Sequence, residues 1–431
     1  MSRTTIISVK AREVYSLRGH PGIEARVKTE NGATGVAVCT AGLSIGTFEV
    51  PFKYDGGERF EGKGVRKAVA GIDEVVAPAL VGQDAACQVT IDDILIKLNG
   101  PEAKTPVGGN ATAAVSAAVL KAGAAALDIP LYAHIGGIGA TRLPVPGIIG
   151  FVGSARYGGG EKAFGKPSHS FMAYDFPSFS EASYALWVVK RAWHKIIEKK
   201  FGKTWVFQDR LCIDAGMVKS DEDVWALMTE TINKCGYENK VGIQVDVASD
   251  TYYDKTQKVY TGLFSSGSKN RDDMIELYTR MVKEYPFVII EDPLNEEDYE
   301  GHAMVTESLD IQVVGDDLFT TNTERVKKGI KTGAANTVLL KVNQIGTISQ
   351  SAEMIKLAYD NGYGVMPCES RGEGIAICDY CVGFGTGTVR ESGLFDFGNR
   401  FMEIEAELGS RVRFAGKHGL KGKRFELKNS I

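Results

Sequence analysis

The sequence predicts a β/α barrel preceded by a small α+β domain, and three observations carry that prediction. The chain has 431 residues, more than one hydrophobic core usually organises, so two domains are expected. Its first part reads as strands followed by helices, the order of an α+β unit. Beyond Leu143, short apolar runs that end in polar or acidic residues alternate with helical stretches, the texture of parallel strands wrapped by helices. We place the division between residues 1–140 and 141–431.

In the first domain, Ile6 to Val14 and Gly22 to Thr29 are rich in strand formers, with turn signals at Gly19-His20-Pro21 and Asn31-Gly32. Ile23, Ala25 and Val27 alternate as in a half-buried antiparallel strand. Helices are predicted from about Gly64 to Leu80, near Thr90 to Leu98, and from Ala111 to Leu127. The last is almost all Ala, Val and Leu, which suits a core helix that packs closely.

In the second domain the predicted strands are Val241 to Asp246, Phe287 to Asp292, Ile311 to Asp317, Thr337 to Asn343 and Gly364 to Glu369. Glu291, Asp316 and Lys341 follow one another at intervals of 25 residues, room for a strand, a loop and a helix. A longer interval leaves space for a polar excursion at Tyr252 to Lys269. An open doubly wound sheet is the alternative, but it needs a Gly-rich first βα turn that the sequence lacks.

A barrel of this kind brings strand ends together at its C-terminal mouth. Asp246, Glu291 and Asp316 each end a separate predicted strand. Three converging carboxylates repel one another unless a counter-ion is present, and Mg²⁺ takes oxygen ligands with water completing an octahedron. Lys341 ends the next strand between Leu340 and Val342. Such a lysine is either a general base with a lowered pKa or a structural partner of a carboxylate such as Asp316. Gly160-Glu-Lys-Ala-Phe-Gly165-Lys166 has the length of a phosphate-binding loop, but Pro167 replaces the required Ser or Thr, so it reads as a plain loop. The six His show no metal-ligand spacing, and His169 alone lies near a predicted strand start.

Lys+Arg 50 against Asp+Glu 54 gives a net charge of -4, which supplies no general field for nucleic acid or anionic membrane. The sequence contains no signal-peptide core at Met1 to Ser16 and no apolar run long enough to span a membrane. The 7 Cys are scattered without a CxxC pair, as expected of reduced thiols in a cytoplasmic protein.

Several segments resemble the enolase (phosphopyruvate hydratase) family along nearly the whole chain. Ala11-Arg-Glu-Val-Tyr-Ser-Leu-Arg18-Gly-His-Pro21 is similar to its opening segment, and Gly62-Lys-Gly-Val-Arg-Lys-Ala-Val69 to a helix start. Ile290-Glu-Asp-Pro293, Gly315-Asp-Asp-Leu318 and Leu340-Lys-Val-Asn-Gln-Ile-Gly-Thr347 match strongly, and Glu405-Ala-Glu-Leu-Gly409 resembles the terminal helix. The resemblance implies a β3α4 domain, a ββαα(βα)6 barrel and a homodimer. It implies that Asp246, Glu291 and Asp316 bind catalytic Mg²⁺ and that Lys341 removes the α-proton of 2-phosphoglycerate. Ser44, in Thr40-Ala-Gly-Leu-Ser-Ile-Gly46, resembles the family's loop serine at a second ion. Arg12 with Glu407, and Glu24 with an arginine near Arg411 to Arg413, match pairs that cross the dimer interface.

The departures fall on substrate chemistry. Ala215 and Ser170 stand where the family has active-site glutamates, the loop histidine is missing from Gly153 to Tyr157, and Glu369 replaces a catalytic histidine. The phosphate-binding Arg-Ser reads Ser370-Arg371, and Glu391 aligns with a phosphate-contacting lysine. Each like-charge contact from Glu369 or Glu391 would oppose phosphate binding by roughly 3 to 4 kcal/mol. The leading expectation is therefore a paralogue impaired in 2-phosphoglycerate dehydration, with a structural role or a role as a binding partner in an assembly. The alternative is a Mg²⁺-dependent enzyme that takes an α-proton from a different small carboxylate, with Glu369 as an acid or base and Arg371 binding an anionic group. Residual phosphopyruvate hydratase activity is the third reading.

Overall fold

The structure, a computed structural model, describes residues 2–16, 20–42, 46–100, 107–153, 155–159, 165–202, 206–207, 210–214 and 216–426. The first three strands, β1 (Ile6–Tyr15), β2 (Pro21–Thr29) and β3 (Thr34–Thr40), form an antiparallel meander in the order β1-β2-β3. Ile23, Ala25 and Val27 face the core as their alternation predicts. Two helices follow, α1 (Gln88–Asn99) and α2 (Gly109–Leu127), with an earlier helical stretch from Arg66 to Leu80 that widens to a π turn over Ile72–Val76.

Helix α2 lies directly on the meander because its partner surface has no side chain at Gly35. A Cβ there would stand 2.0 Å from Ala118 O and 2.3 Å from Ala122 N. The Ala-rich sequence of α2 and a glycine on β3 are thus two halves of one close contact. By length and composition α2 could cross a membrane, but 83% of its apolar window is buried in this domain.

The second domain is a barrel. In chain order its main elements are β4 (Gly147–Val152), β5 (Ser168–Ala173), α3 (Phe179–Phe201), α4 (Asp221–Lys234), β6 (Val241–Asp246), α5 (Arg271–Glu284), β7 (Phe287–Glu291) and α6 (Tyr299–Ser308). They continue with β8 (Gln312–Gly315), α7 (Thr323–Thr332), β9 (Thr337–Leu340), α8 (Ile348–Asp360), β10 (Gly364–Pro367), α9 (Ala376–Gly383) and α10 (Phe395–Leu408). Neighbouring strands run β10-β9-β8-β7-β6-β5-β4. All pairs from β6 to β10 are parallel, whereas β5 is antiparallel to both β4 and β6. A ββ start followed by βα units is the order that the family resemblance implies.

The segment after α9 closes the ring. Arg390 N–H donates to Pro367 O at 3.0 Å, Val389 N–H to Val145 O at 3.0 Å, and Val145 N–H to Gly387 O at 2.9 Å. This segment bridges the ends of β10 and β4. The excursion at Tyr252 to Lys269 folds into a small sheet of Tyr253–Asp254, Val259–Thr261 and Ser268–Lys269.

Two hydrophobic cores result, one inside and around the barrel and one centred on the first domain, which also takes in Val342, Ile377, Tyr380 and Phe401. The domains are joined by polar contacts as well. Asp92 accepts from Ser116 Oγ at 2.6 Å and from Ser349 N at 2.8 Å, placing a carboxylate from α1 on the first turn of α8. Helix α8 follows Lys341 and Gln344 in the chain, so this contact positions the barrel mouth.

His169 is explained by packing. It stacks on Phe151 with ring centroids 4.3 Å apart, and its Nε2 accepts from Trp225 Nε1 at 2.8 Å. Burial, aided by Arg156, holds its imidazole well below the ordinary pKa, so it is neutral in the core.

Candidate active site

The barrel register sets the site. Glu291 is the direct neighbour of Asp246 across β7 and β6, and it pairs with Val314 across β7 and β8, two residues before Asp316. With a side-chain period of two, all three acids face the same side of the sheet. Lys341 follows β9 directly and begins the short helix Val342–Ile345, which brings Gln344 back toward the mouth.

Lys341 Nζ forms an ion pair with Asp316 Oδ2, and Gln344 Nε2 donates to Asp316 Oδ1 at 2.9 Å. The backbone N–H of Lys341 donates to Thr321 Oγ1 at 3.2 Å, and that hydroxyl donates to Gln344 Oε1 at 2.7 Å. Burial alone would raise the Asp316 pKa, but Lys341 and Gln344 overcome it and pull the carboxyl down to about 2. The Lys341–Asp316 pair is the carboxylate partnership that the sequence left open beside the general-base reading. Burial pulls the Lys341 pKa down, but the Asp316 charge outweighs burial and leaves it raised.

Glu291, Asp292 and Asp316 offer carboxylate oxygens that lie within 4.8 Å of one another. Asp292, with φ +43°, accepts the backbone N–H groups of Asp316 and Asp317 at 2.9 Å each, which fixes the turn after β8. Asp317 is pushed up to about 8 by burial and by Asp316, and its Oδ1 has no hydrogen-bond partner among the described residues. Gly46, arriving from the first domain, passes so close that a Cβ there would meet this Oδ1 at 3.2 Å. An all-oxygen set of buried carboxylates with spare acceptor capacity fits a hard divalent cation.

Asp246 lies outside that convergent group and is held by two cations. Its Oδ2 forms an ion pair with Lys166 and lies 2.5 Å from Arg390 Nη2. Arg390 Nη1 also lies 3.0 Å from Glu291 Oε1, and its Nη2 donates to Ser168 Oγ at 3.1 Å. Gln244 Nε2 donates to the other Glu291 oxygen at 3.3 Å.

The structure places two further residues of interest. Arg371 is 2% exposed and forms an ion pair with Glu49 of the first domain. Its own C=O accepts from Thr40 N–H and Asn343 Nδ2, both at 2.7 Å. Moreover, the cation at the end of the closing strand is Arg390, one residue before the Glu391 that alignment put there. Glu391 has φ +62° and pairs with Arg390 Nε at 3.0 Å, so it neutralises that cation from outside the acid cluster. Glu369 is half-buried near Glu373, whose carboxyl burial and Glu369 push up to about 7. Ser44 and Ala215 lie outside the described residues.

Sequence reasoning missed Lys166, Arg390, Gln344 and Glu49. Arg390 carried a usable signal, since it follows the apolar Val389 just as Lys341 follows Leu340. Lys166 carried none, because it sits in a polar loop whose approach to Asp246 depends on the fold.

Comparison with known proteins gives the same assignment across the chain. A family model described as enolase, N-terminal domain, matches residues 6–135, and one described as enolase, C-terminal TIM barrel domain, matches residues 141–423. A protein named enolase from Methanopyrus kandleri is 38% identical over 426 residues, 96% of this chain and 98% of that one. Enolases from Methanococcus vannielii and Pyrococcus furiosus are 39% and 37% identical, each over 96% of this chain and 97% of their own. With both domains matched and the strand-end acids and lysine gathered in one barrel mouth, the chain belongs to the enolase family.

Proposed function

We propose that this chain is a Mg²⁺-dependent enzyme of the enolase type that takes the α-proton from a small carboxylate, with turnover of 2-phosphoglycerate impaired. The observation that carries this reading is the buried ionic cluster of Lys341, Asp316, Glu291 and Asp246 with Arg390. Desolvating so many charges costs several kcal/mol per ion and is poorly repaid as stability alone, whereas perturbed groups gathered in one mouth suit proton transfer.

In this reading Asp246, Glu291 and Asp316 hold the metal. Bound Mg²⁺ supplies charge neutralisation, both of these acids and of the substrate carboxylate as its α-carbon loses a proton. Lys341 is the base, aimed by its backbone hydrogen bond to Thr321 and by the Asp316–Gln344 contact, and a cation held by Asp316 would offset the charge that raises the Lys341 pKa. Arg390, paired with Asp246, Glu291 and Glu391, offsets the negative charge of the mouth and reduces the repulsion expected from Glu391. The second glutamate, the histidine and the loop acid of the family stay replaced by Ser170, Glu369 and Ala215, so loss of hydroxide lacks its usual acids. The reading places the protein in the cytoplasm as a homodimer, and Arg12, now paired with Glu24 at 2.8 Å, and Glu407, 3.4 Å from Arg400, are the residues it puts at that interface.

A second reading, a non-catalytic structural or binding role, draws on the Lys166 and Arg390 contacts that already neutralise Asp246. Proton exchange separates the two. Carboxylates including 2-phosphoglycerate are incubated in deuterated solvent with Mg²⁺ and wild-type or Lys341→Ala protein, and α-deuterium is read by NMR. Exchange by the wild type that the variant lacks is expected. Absence of exchange across the panel sinks the enzymatic reading, and 2-phosphoglycerate turnover at ordinary enolase rates sinks the impairment.

A further inference from the structure

We infer that Lys166 is a built-in counter-ion that competes with a divalent cation for Asp246 and, once displaced, becomes a binding group for an anionic ligand. The inference rests on the metal site proposed above. Lys166 comes from the loop that precedes β5, and its side chain is largely buried with its ammonium on Asp246 Oδ2. Arg390 shares the same oxygen at 2.5 Å. Asp246 is therefore the one acid of the proposed triad that two cations claim, and it is also the one outside the carboxylate group converging within 4.8 Å.

A carboxylate that already carries two cations is a weakened ligand for a metal ion, and an ammonium left beside that ion would be repelled by it. Metal binding therefore favours displacement of Lys166. Burial and the neighbouring Arg390 make an unpaired ammonium at this place unfavourable, so the displaced Lys166 needs another anion. An anionic group entering the mouth provides it. Metal and anion then favour each other's binding, and by linkage the coupling is reciprocal. The structural alternative, that Lys166 merely ties its loop to the barrel, predicts no such coupling.

The test uses Mn²⁺ as the metal, with free Mn²⁺ counted by electron paramagnetic resonance, on the full chain with and without inorganic phosphate. Lys166→Met is expected to bind Mn²⁺ about tenfold or more tighter than wild type without phosphate, through loss of a competing charge. Phosphate is expected to tighten Mn²⁺ binding to the wild type and to lose that effect in the variant. Lys166→Arg, which keeps the charge, is expected to behave like the wild type, and circular dichroism establishes that each variant is folded. Equal Mn²⁺ affinity in wild type and Lys166→Met overturns the inference while leaving the metal site intact. Failure of wild type, Lys166→Met and Lys166→Arg alike to bind Mn²⁺ overturns the metal site and the inference with it.

Discussion

Arg371 and Glu49 offer the sharpest test of how the two domains are held. The two side chains are 2% and 3% exposed, and each is the other's ionic partner. Glu49 Oε1 also accepts from Gly46 N–H at 3.0 Å and from Gln344 Nε2 at 3.3 Å. Arg371→Met therefore leaves a buried carboxylate with two neutral donors, and Glu49→Gln removes from a buried guanidinium its ion-pair partner, leaving the charges of Asp316 and Asp317 nearby. Removing one member of such a pair costs about 3–5 kcal/mol, whereas replacing both by neutral groups of similar volume is often close to neutral. The double variant should thus recover most of the loss, a coupling of about 5 kcal/mol or more between the sites.

The pair sits at the junction of the two cores, so the readout is local. Thr40 N–H donates to Arg371 O, and Val50 N–H to Gln344 O at 2.8 Å, so both amides report the junction. Hydrogen exchange of peptides carrying them should accelerate in each single variant and return toward wild type in the double. Additive losses, or an Arg371→Met variant that keeps its protection while binding phosphate less well, would refute the clamp and restore Arg371 as an anion site.

Two further outcomes follow from packing and burial. His302 is buried with its Nδ1 2.9 Å from Asp298 O, and burial holds its pKa at about 4. The unfolded chain takes up this proton first as pH falls through about 6.5, so stability is present above that value and declines until pH reaches the folded pKa. This residue alone should cost about 2 kcal/mol between pH 7 and pH 5, and urea unfolding of His302→Gln should lose that part of the pH dependence. An unchanged dependence would place the acid sensitivity elsewhere. Gly35→Ala drives a Cβ into backbone atoms of α2 that cannot swing aside, and it should destabilise the first domain by about 3 kcal/mol. Gly139→Ala, with open space around it, should leave the thermal midpoint unchanged, and equal midpoints for both variants would refute the close-contact account.

Much of the fold was legible because periodicity is local. The strand Val241–Asp246 and the start of the strand at Phe287 fall where the apolar runs predict them, and the Ala-rich helix extends two residues beyond its predicted start. The closing strand was not legible. The segment 387–390 is held by single bridges to residues near Cys368 and Val145, so it carries little strand pattern of its own. That is also why alignment placed Glu391, rather than Arg390, at the mouth.

Side-chain chemistry and spacing by themselves determined the barrel, its preceding α+β domain and the strand-end positions of Asp246, Glu291, Asp316 and Lys341. A strand's end is written in its own residues. Which charges meet at those ends was decided only by the tertiary structure: Lys166 and Arg390 on Asp246, Lys341 on Asp316, and Glu49 on Arg371. These partners come from loops and from the other domain, up to 322 positions apart in the chain. Electrostatic pairing acts through distance in space, and a linear sequence records no such distance.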